Sequence, residues 1–233
     1  MRPVRAVLLD ALGTLLELEP PAPALRAQLA ARGAAVTEAQ ADAALRAEIA
    51  YYRAHHDEAR DRAALEDLRD RCTAVLRDAL PAHARDAPGL RAALLDSLRF
   101  RPYPEVPAAL AALRGAGLRL VVVSNWDVSL QEVLDRTGLT PLVDAAISSA
   151  EAGAAKPAPA IFARALALAG DGVGPDEAVH VGDSAEHDVA GARAAGITPV
   201  LVARNGTPAP DGVAAVADLA ALPQLLASYP ASR

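Results

Sequence analysis

Five short apolar runs punctuate the chain: Val4 to Leu9, Leu118 to Val123, Ala145 to Ser148, Ala178 to Val181, and Pro199 to Val202. Runs of this length without polar alternation belong to strands buried on both faces of a parallel sheet. Helical spacing fills the later gaps, over Pro104 to Ala116, Ser129 to Thr137, Pro159 to Ala169 and Ala185 to Ala195. Gly117, Gly138, Gly170 and Gly196 follow these segments, as glycine does where a helix stops. Strand alternating with helix predicts an α/β fold built on a doubly wound parallel sheet.

The stretch from Pro20 to Arg101 breaks the alternation. It holds no strand-like run and is rich in Ala, Leu, Arg and Glu at helical spacing, as in Leu65, Leu68, Cys72, Val75 and Leu76. It reads as a helical insertion, entered at Pro20-Pro21 and left near Pro102 and Pro104. The expected organisation is therefore a core domain of residues 1–19 and 102–233, with a helical domain of residues 20–101 inserted after the first strand. The tail after Gly206 is rich in Pro and Ala and closes with a helix around Leu219 to Leu226.

Composition narrows the function classes. A net charge of −6 argues against sequence-independent nucleic-acid binding. No apolar stretch is long enough to cross a bilayer, and the N-terminal run is too short for a signal-peptide core. One cysteine, Cys72, permits neither an internal disulfide nor a cysteine zinc site, and points to a reducing cytoplasm. Cys72 itself reads as a small buried apolar residue. The expected partner is a small-molecule substrate, with the chain a monomer or homodimer.

In an open α/β sheet, ligands bind beyond the carboxyl ends of the strands. Polar residues collect there. Asp10 closes the first run, with Gly13 and Thr14 after it. Ser124-Asn125 closes the second, the loop from Ser148 to Lys156 follows the third, and Gly182-Asp183-Ser184 closes the fourth, with Asp188 one turn on. Lys156 is the single lysine among 23 Lys+Arg residues, and Lys and Arg are not equivalent charges. Asp10, Asp183 and Asp188 offer oxygen ligands suited to Mg²⁺, Ser124 and backbone N–H groups can bind phosphate oxygens, and Lys156 can offset phosphate charge beside a carboxylate nucleophile. Taken singly, Asp10, Ser124 and Asp183 also fit helix caps, and Asp188 a solvated helix position; the joint placement at successive strand ends favours a site.

These residues resemble the haloacid dehalogenase superfamily. Its first motif is similar to Asp10-Ala11-Leu12-Gly13-Thr14-Leu15, its second to Val123-Ser124-Asn125, its third to Lys156-Pro157, and its fourth to Gly182-Asp183-Ser184 through Asp188. The insertion matches the helical cap of the first subclass in position and character. The resemblance implies a Rossmann-like core and Asp10 as nucleophile, with Ser124 and Lys156 as further catalytic residues. It also implies Mg²⁺ on Asp10, Asp183, Asp188 and the backbone carbonyl of Leu12. Thr14, Asn125 and Arg46 are expected to bind substrate or phosphate.

One departure bears on chemistry. Phosphatases of the family carry a second Asp two residues after the nucleophile, which protonates the leaving group and then activates water. Here that position is Leu12. General acid–base catalysis contributes about 10²–10⁴-fold, a loss that weighs least on good leaving groups. Three relatives share the departure. Phosphonoacetaldehyde hydrolases need a cap lysine, which this chain lacks. The 2-haloacid dehalogenases share an Asp-Ala-x-Gly-Thr motif, and Arg46 with Tyr51 and Tyr52 resembles their cap arginine segment; but they use no metal, carry serine where Asp183 stands, and tyrosine where Phe162 stands. Phosphatase-like proteins with Ser-Asn-Trp-Asp after the second strand are similar at Ser124-Asn125-Trp126-Asp127. The expectation is a weak or specialised Mg²⁺-dependent phosphohydrolase, with a dehalogenase and a non-catalytic binding module as alternatives. Arg53, His55, His56 and Asp57 are candidates for substrate selection, His187 reads as a surface residue, and Trp126 fits either the site or the core.

Overall fold

The computed structural model describes residues 3–229. The chain leaves β1 (Ala6–Leu9) through β2 (Leu16–Leu18) into four helices, α1 (Pro21–Ala30), α2 (Glu38–His55), α3 (Arg62–Ala79) and α4 (Leu90–Ser97), and returns through β3 (Phe100–Pro102). It then alternates: α5 (Val106–Gly115), β4 (Arg119–Ser124), α6 (Leu130–Arg136), β5 (Ala145–Ser148), α7 (Ser149–Ala152), α8 (Pro159–Ala169) and β6 (Ala178–Gly182). A π-helical turn (Ala185–Val189) leads into α9 (Ala190–Ala194), then β7 (Thr198–Val202), β8 (Ala214–Val216) and α10 (Leu222–Ala227).

The chain divides into two compact units, Met1–Glu17 with Pro102–Arg233, and Leu18–Arg101. In the first, the strands form a sheet in the order β5-β4-β1-β6-β7-β8, and its neighbours pair in parallel. β1 lies at the point where the order reverses, between β4 and β6, and is fully buried. That reversal opens a crevice at the strand carboxyl ends, where Asp10 follows β1. This is the expected doubly wound α/β fold. One side of the sheet is filled by Leu8, Val121, Val123, Ile161, Phe162 and Ala165.

The second unit consists of α1 to α4. Thr37 and Gln40 close a reciprocal capping box on α2, and Asp61 caps α3 by accepting from the Ala64 N–H at 2.9 Å. α3 buries Leu65, Leu68, Cys72 and Leu76 along one stripe, while Val75 at the stripe's edge is only half-buried. The proposed domain limits at residues 1 and 233 fall outside the described residues.

Several expected elements differ. β1 begins at Ala6; just before it, Arg5 pairs its main chain with Glu177 and Arg119 and sends its side chain to the Gly172 carbonyl and Glu177. β2, β3 and β8 are three-residue strands, too short to leave a periodic trace. The helix expected over Ala185 to Ala195 opens instead as the π turn, with the amides of Asp188 and Val189 both donating to the Ser184 carbonyl, at 3.0 and 3.1 Å. The wider turn swings Asp188 inward, and such insertions recur at functional sites. The C-terminal helix begins as a 3₁₀ turn at Leu219–Ala221, capped by Asp218, before α10.

Candidate active site

The strand ends of the first unit bring four charged side chains together. Asp10 continues β1 and is tied to β6 by its backbone N–H, which donates to the Val181 carbonyl at 2.9 Å. The Asp10 carboxylate is buried, and its Oδ1 accepts from Ser124 Oγ at 3.1 Å and from Lys156 Nζ at 2.6 Å. Its Oδ2 accepts no hydrogen bond among the described residues. One oxygen is thus fixed, while the other is left available for chemistry.

Lys156 Nζ also donates to Asp188 Oδ1 at 2.6 Å. The same Asp188 oxygen faces His180 Nε2 at 2.8 Å, and Asp188 Oδ2 accepts from the Ser184 N–H at 3.0 Å. Oxygens of Asp10, Asp183 and Asp188 lie within 4.8 Å of one another. Close approach is bought with glycine: a Cβ on Gly13 would stand 2.1 Å from Asp183 Oδ2, and one on Gly182 would stand 2.1 Å from Asp188 Cγ. Gly13 also holds φ +87°, a conformation that L side chains rarely adopt.

The electrostatics follow from three carboxylates near one ammonium, with Asp10, Asp188 and Lys156 buried and Asp183 exposed. Burial, and then the Asp188 charge, push the Asp10 carboxyl up to about 6 against the opposing pull of Lys156. Burial and Asp188 likewise raise Asp183. Burial opposes ionisation of Asp188 as well, but Lys156 and His180 outweigh it and hold that carboxyl below the ordinary range. Burial lowers Lys156, yet Asp10 and Asp188 more than restore it, so the ammonium persists.

Most expected residues meet here; the exceptions have physical reasons. Thr14 is fully buried with an unpartnered Oγ1, and its carbonyl is held from outside the loop. Asn125 spends its amide on the main chain of Lys156, accepting from its N–H at 2.7 Å and donating to its carbonyl at 3.0 Å. It therefore ties the lysine's main chain to the end of β4. Arg46 lies in the helical unit, where it is exposed and ion-paired with Asp42 one turn away on α2. His55, His56 and Asp57 are half-buried, and only Arg53 of that group is exposed. Trp126 is 6% exposed and donates from Nε1 to Ser129 Oγ at 3.3 Å, so it is a core residue. His187 is exposed, bonded to Ser184. Leu12, 38% exposed, presents an apolar side chain after the nucleophile.

Two residues escape the sequence pattern. His180 lies inside the apolar β6 run, fully buried and edge-on to Phe162 at 4.9 Å; a polar residue within a buried strand was the signal. Arg204 follows β7, and applying the strand-end rule to the fifth apolar run would have found it. Beside Arg204 is a cavity of about 390 Å³, lined among others by Gly13, Glu17, Tyr103, Asp183 and Asn205.

Comparison with known proteins agrees with this layout. Residues 4–196 match the haloacid dehalogenase-like hydrolase family. The haloacid dehalogenase-like hydrolase domain-containing protein 3 of Bos taurus is 45% identical over 96 residues, covering 41% of this chain and 38% of that protein. A phosphoserine phosphatase of Thermus thermophilus is 41% identical over 111 residues, covering 47% of this chain and 44% of that protein. The chain thus spans under half the length of these curated relatives. The crystal structure of a HAD phosphatase from Thermococcus onnurineus superposes with a TM-score of 0.66 at 27% identity, over 96% of this chain and 98% of that one. A family match over most of its length, joined to the same fold and a carboxylate–lysine centre at the strand ends, makes this chain a member of the haloacid dehalogenase-like hydrolases.

Proposed function

We propose that the chain is a Mg²⁺-dependent phosphohydrolase that transfers a phosphoryl group to Asp10 and then to water. The observation that carries this reading is the division of labour on Asp10, with Oδ1 held by Ser124 and Lys156 and Oδ2 without a hydrogen bond among the described residues. A carboxylate fixed in this way is pre-oriented for attack.

The donor set fits a hard divalent cation. Asp10, Asp183 and Asp188 supply oxygens within 4.8 Å of one another, and three carboxylates against one ammonium leave an excess negative charge that a divalent ion would balance. Those three residues, with the Leu12 carbonyl, would hold Mg²⁺, which neutralises the charge of a bound phosphate. The two carboxylates retained beside Asp10 favour this reading over a metal-free dehalogenase, because like charges crowded without a cation resist ionisation.

In the first step, Asp10 Oδ2 bonds to phosphorus and the bond from phosphorus to the leaving oxygen breaks. Ser124 and Lys156 hold the carboxylate and, once phosphate is bound, supply donors to its oxygens. Leu12 can give the leaving oxygen no proton, so the leaving group departs as an anion. Water then attacks phosphorus, releasing inorganic phosphate and restoring Asp10. This favours acyl phosphates and other esters whose leaving group is a stable anion, on a small metabolite in the cytoplasm. The similarity to the phosphoserine phosphatase of Thermus thermophilus supports phosphate chemistry in general.

The test is covalent trapping. After brief exposure to acetyl phosphate and Mg²⁺, an acid quench followed by peptide mass spectrometry should find a phosphoryl group on the peptide carrying Asp10, removable by hydroxylamine. Phosphate on another residue, or none in a protein that still releases phosphate, would overturn the role of Asp10.

A further inference from the structure

Among the described residues, Arg204 reaches the turn after the nucleophile, Glu105 and Tyr103, and its charge also lowers the Asp183 carboxyl. Its Nε donates to the Gly13 carbonyl at 3.1 Å, and its Nη2 to the Thr14 carbonyl at 2.8 Å and to Glu105 Oε1 at 2.7 Å. Its guanidinium carbon stands 3.4 Å from the centroid of the Tyr103 ring. The side chain is 16% exposed and Glu105 19%. A planar fork used on both its edge and its face is a placement lysine cannot reproduce.

What Arg204 grips is the turn after the nucleophile. That turn closes on itself, with Gly13 N donating to the Leu16 carbonyl at 2.7 Å and Leu15 N and Leu16 N both donating to the Ala11 carbonyl at 2.8 Å. The Gly13 and Thr14 carbonyls lie outside this closure, and Arg204 takes both. The inner side of the same turn faces Asp183, so closely that no Cβ fits at Gly13. Tyr103 reinforces the grip, because its own N–H donates to the Leu15 carbonyl at 3.1 Å. A turn pinned between a carboxylate and a guanidinium has little room to shift.

We propose that Arg204, seated on Tyr103 and Glu105, is a positioning residue that holds the Leu12–Thr14 turn and thereby sets Asp10 against Asp183. The effect on turnover rests on the phosphohydrolase reading; the ordering of the turn does not. Displacing reacting groups by about 1 Å can cost roughly 10²-fold in rate. Loss of the clamp therefore lowers kcat and leaves KM nearly unchanged, since Arg204 need not touch the substrate.

The experiment compares wild type with Arg204→Met and Arg204→Lys, and adds Arg204→Ala and Asp10→Asn for chemical rescue. Methionine keeps an apolar stem over Tyr103, and lysine keeps the charge. Amide hydrogen exchange, read by mass spectrometry on the peptide spanning residues 8–17, reports the turn without requiring activity. The expected result is exchange at Leu15 and Leu16 faster by roughly tenfold in both variants, with the β1 amides unchanged. With acetyl phosphate and Mg²⁺, kcat should fall by roughly 10²-fold, and methylguanidine should restore part of it in Arg204→Ala but none in Asp10→Asn. If one substitution unfolds the protein, the other decides. Folded variants with wild-type exchange overturn the clamp. Faster exchange with wild-type kcat overturns the positioning role. Faster exchange in a protein whose wild type releases no phosphate upholds the clamp and counts against the phosphohydrolase reading alone.

Discussion

The side-chain amide of Asn125 forms a ring of two hydrogen bonds with the main chain of Lys156, Oδ1 accepting from the N–H at 2.7 Å and Nδ2 donating to the carbonyl at 3.0 Å. Asn125 follows β4 and Lys156 follows β5 and α7. The ring therefore ties the loops of neighbouring strands at the point where the ammonium reaches Asp10. Asn125→Ala strips both partners from the lysine backbone. A part-buried unpaired group costs about 1–3 kcal/mol, so calorimetry should record a lower melting temperature. Phosphate release should fall as well, because Lys156 is no longer held. Unchanged release in a destabilised variant would show that the ring serves stability alone.

Gly13→Ala should damage the cation site with little effect on the core. Its Cβ would overlap Asp183, and Asp183 would have to move away from Asp10 and Asp188. Ligand binding to the native state raises its stability, so Mg²⁺ should raise the melting temperature of wild type and do so much less in Gly13→Ala and in Asp183→Asn. Gly206→Ala is the control: it has positive φ as well, but nothing within 4 Å of an added Cβ. A full Mg²⁺ shift in Asp183→Asn would remove Asp183 from the site.

Leu12→Asp restores a carboxyl where the family's phosphatases carry one. The position is 38% exposed, so the change should leave the fold intact. Turnover of an alkyl phosphate should rise toward the general acid–base contribution of about 10²–10⁴-fold, and turnover of p-nitrophenyl phosphate much less, since p-nitrophenolate leaves without a proton. Equal gains on both substrates, or none on either, would show that Leu12 is not what limits leaving-group departure.

The sequence made the sheet and most of its strand ends legible, because β1, β4 and β6 are almost wholly buried and, apart from Arg119, Ser124 and His180, apolar. Asp10, Ser124, Asp183 and Asp188 could then be read from their joint placement at or just after strand ends, and Lys156 as the single lysine beyond the third of them. The tie from Asn125 to the main chain of Lys156 was not legible, because an amide beside a serine fits phosphate binding as well, and the two residues meet only once β4 and β5 are paired. Asp188 was expected on an ordinary helix, whereas the doubled donation to the Ser184 carbonyl builds a π turn that no local propensity announces. Arg46 resembled a cap arginine, yet at 68% side-chain exposure its partner on α2 is Asp42.

Glu48 provides a pH test in the helical unit. It is 2% exposed, and burial pushes its carboxyl up, against a smaller lowering by a hydrogen bond with the Cys72 thiol. A carboxyl raised in the folded state favours the folded protein fully below its unfolded pKa. That contribution is lost as pH rises through the folded value. Melting temperatures of wild type should therefore fall across the mildly acidic range more steeply than those of Glu48→Gln, which carries no titrating proton there. Parallel curves would place an ionised Glu48 in the folded unit.

Phosphoryl transfer to Asp10 is read out by phosphate release from acetyl phosphate and p-nitrophenyl phosphate. Both leaving groups depart as stable anions, so the absence of an acid at Leu12 matters least. Wild type should release phosphate in a Mg²⁺-dependent manner, and Asp10→Asn should release none. Release that is equal in wild type and Asp10→Asn, or no phosphate release together with halide release from 2-chloropropionate, would contradict phosphoryl transfer to Asp10.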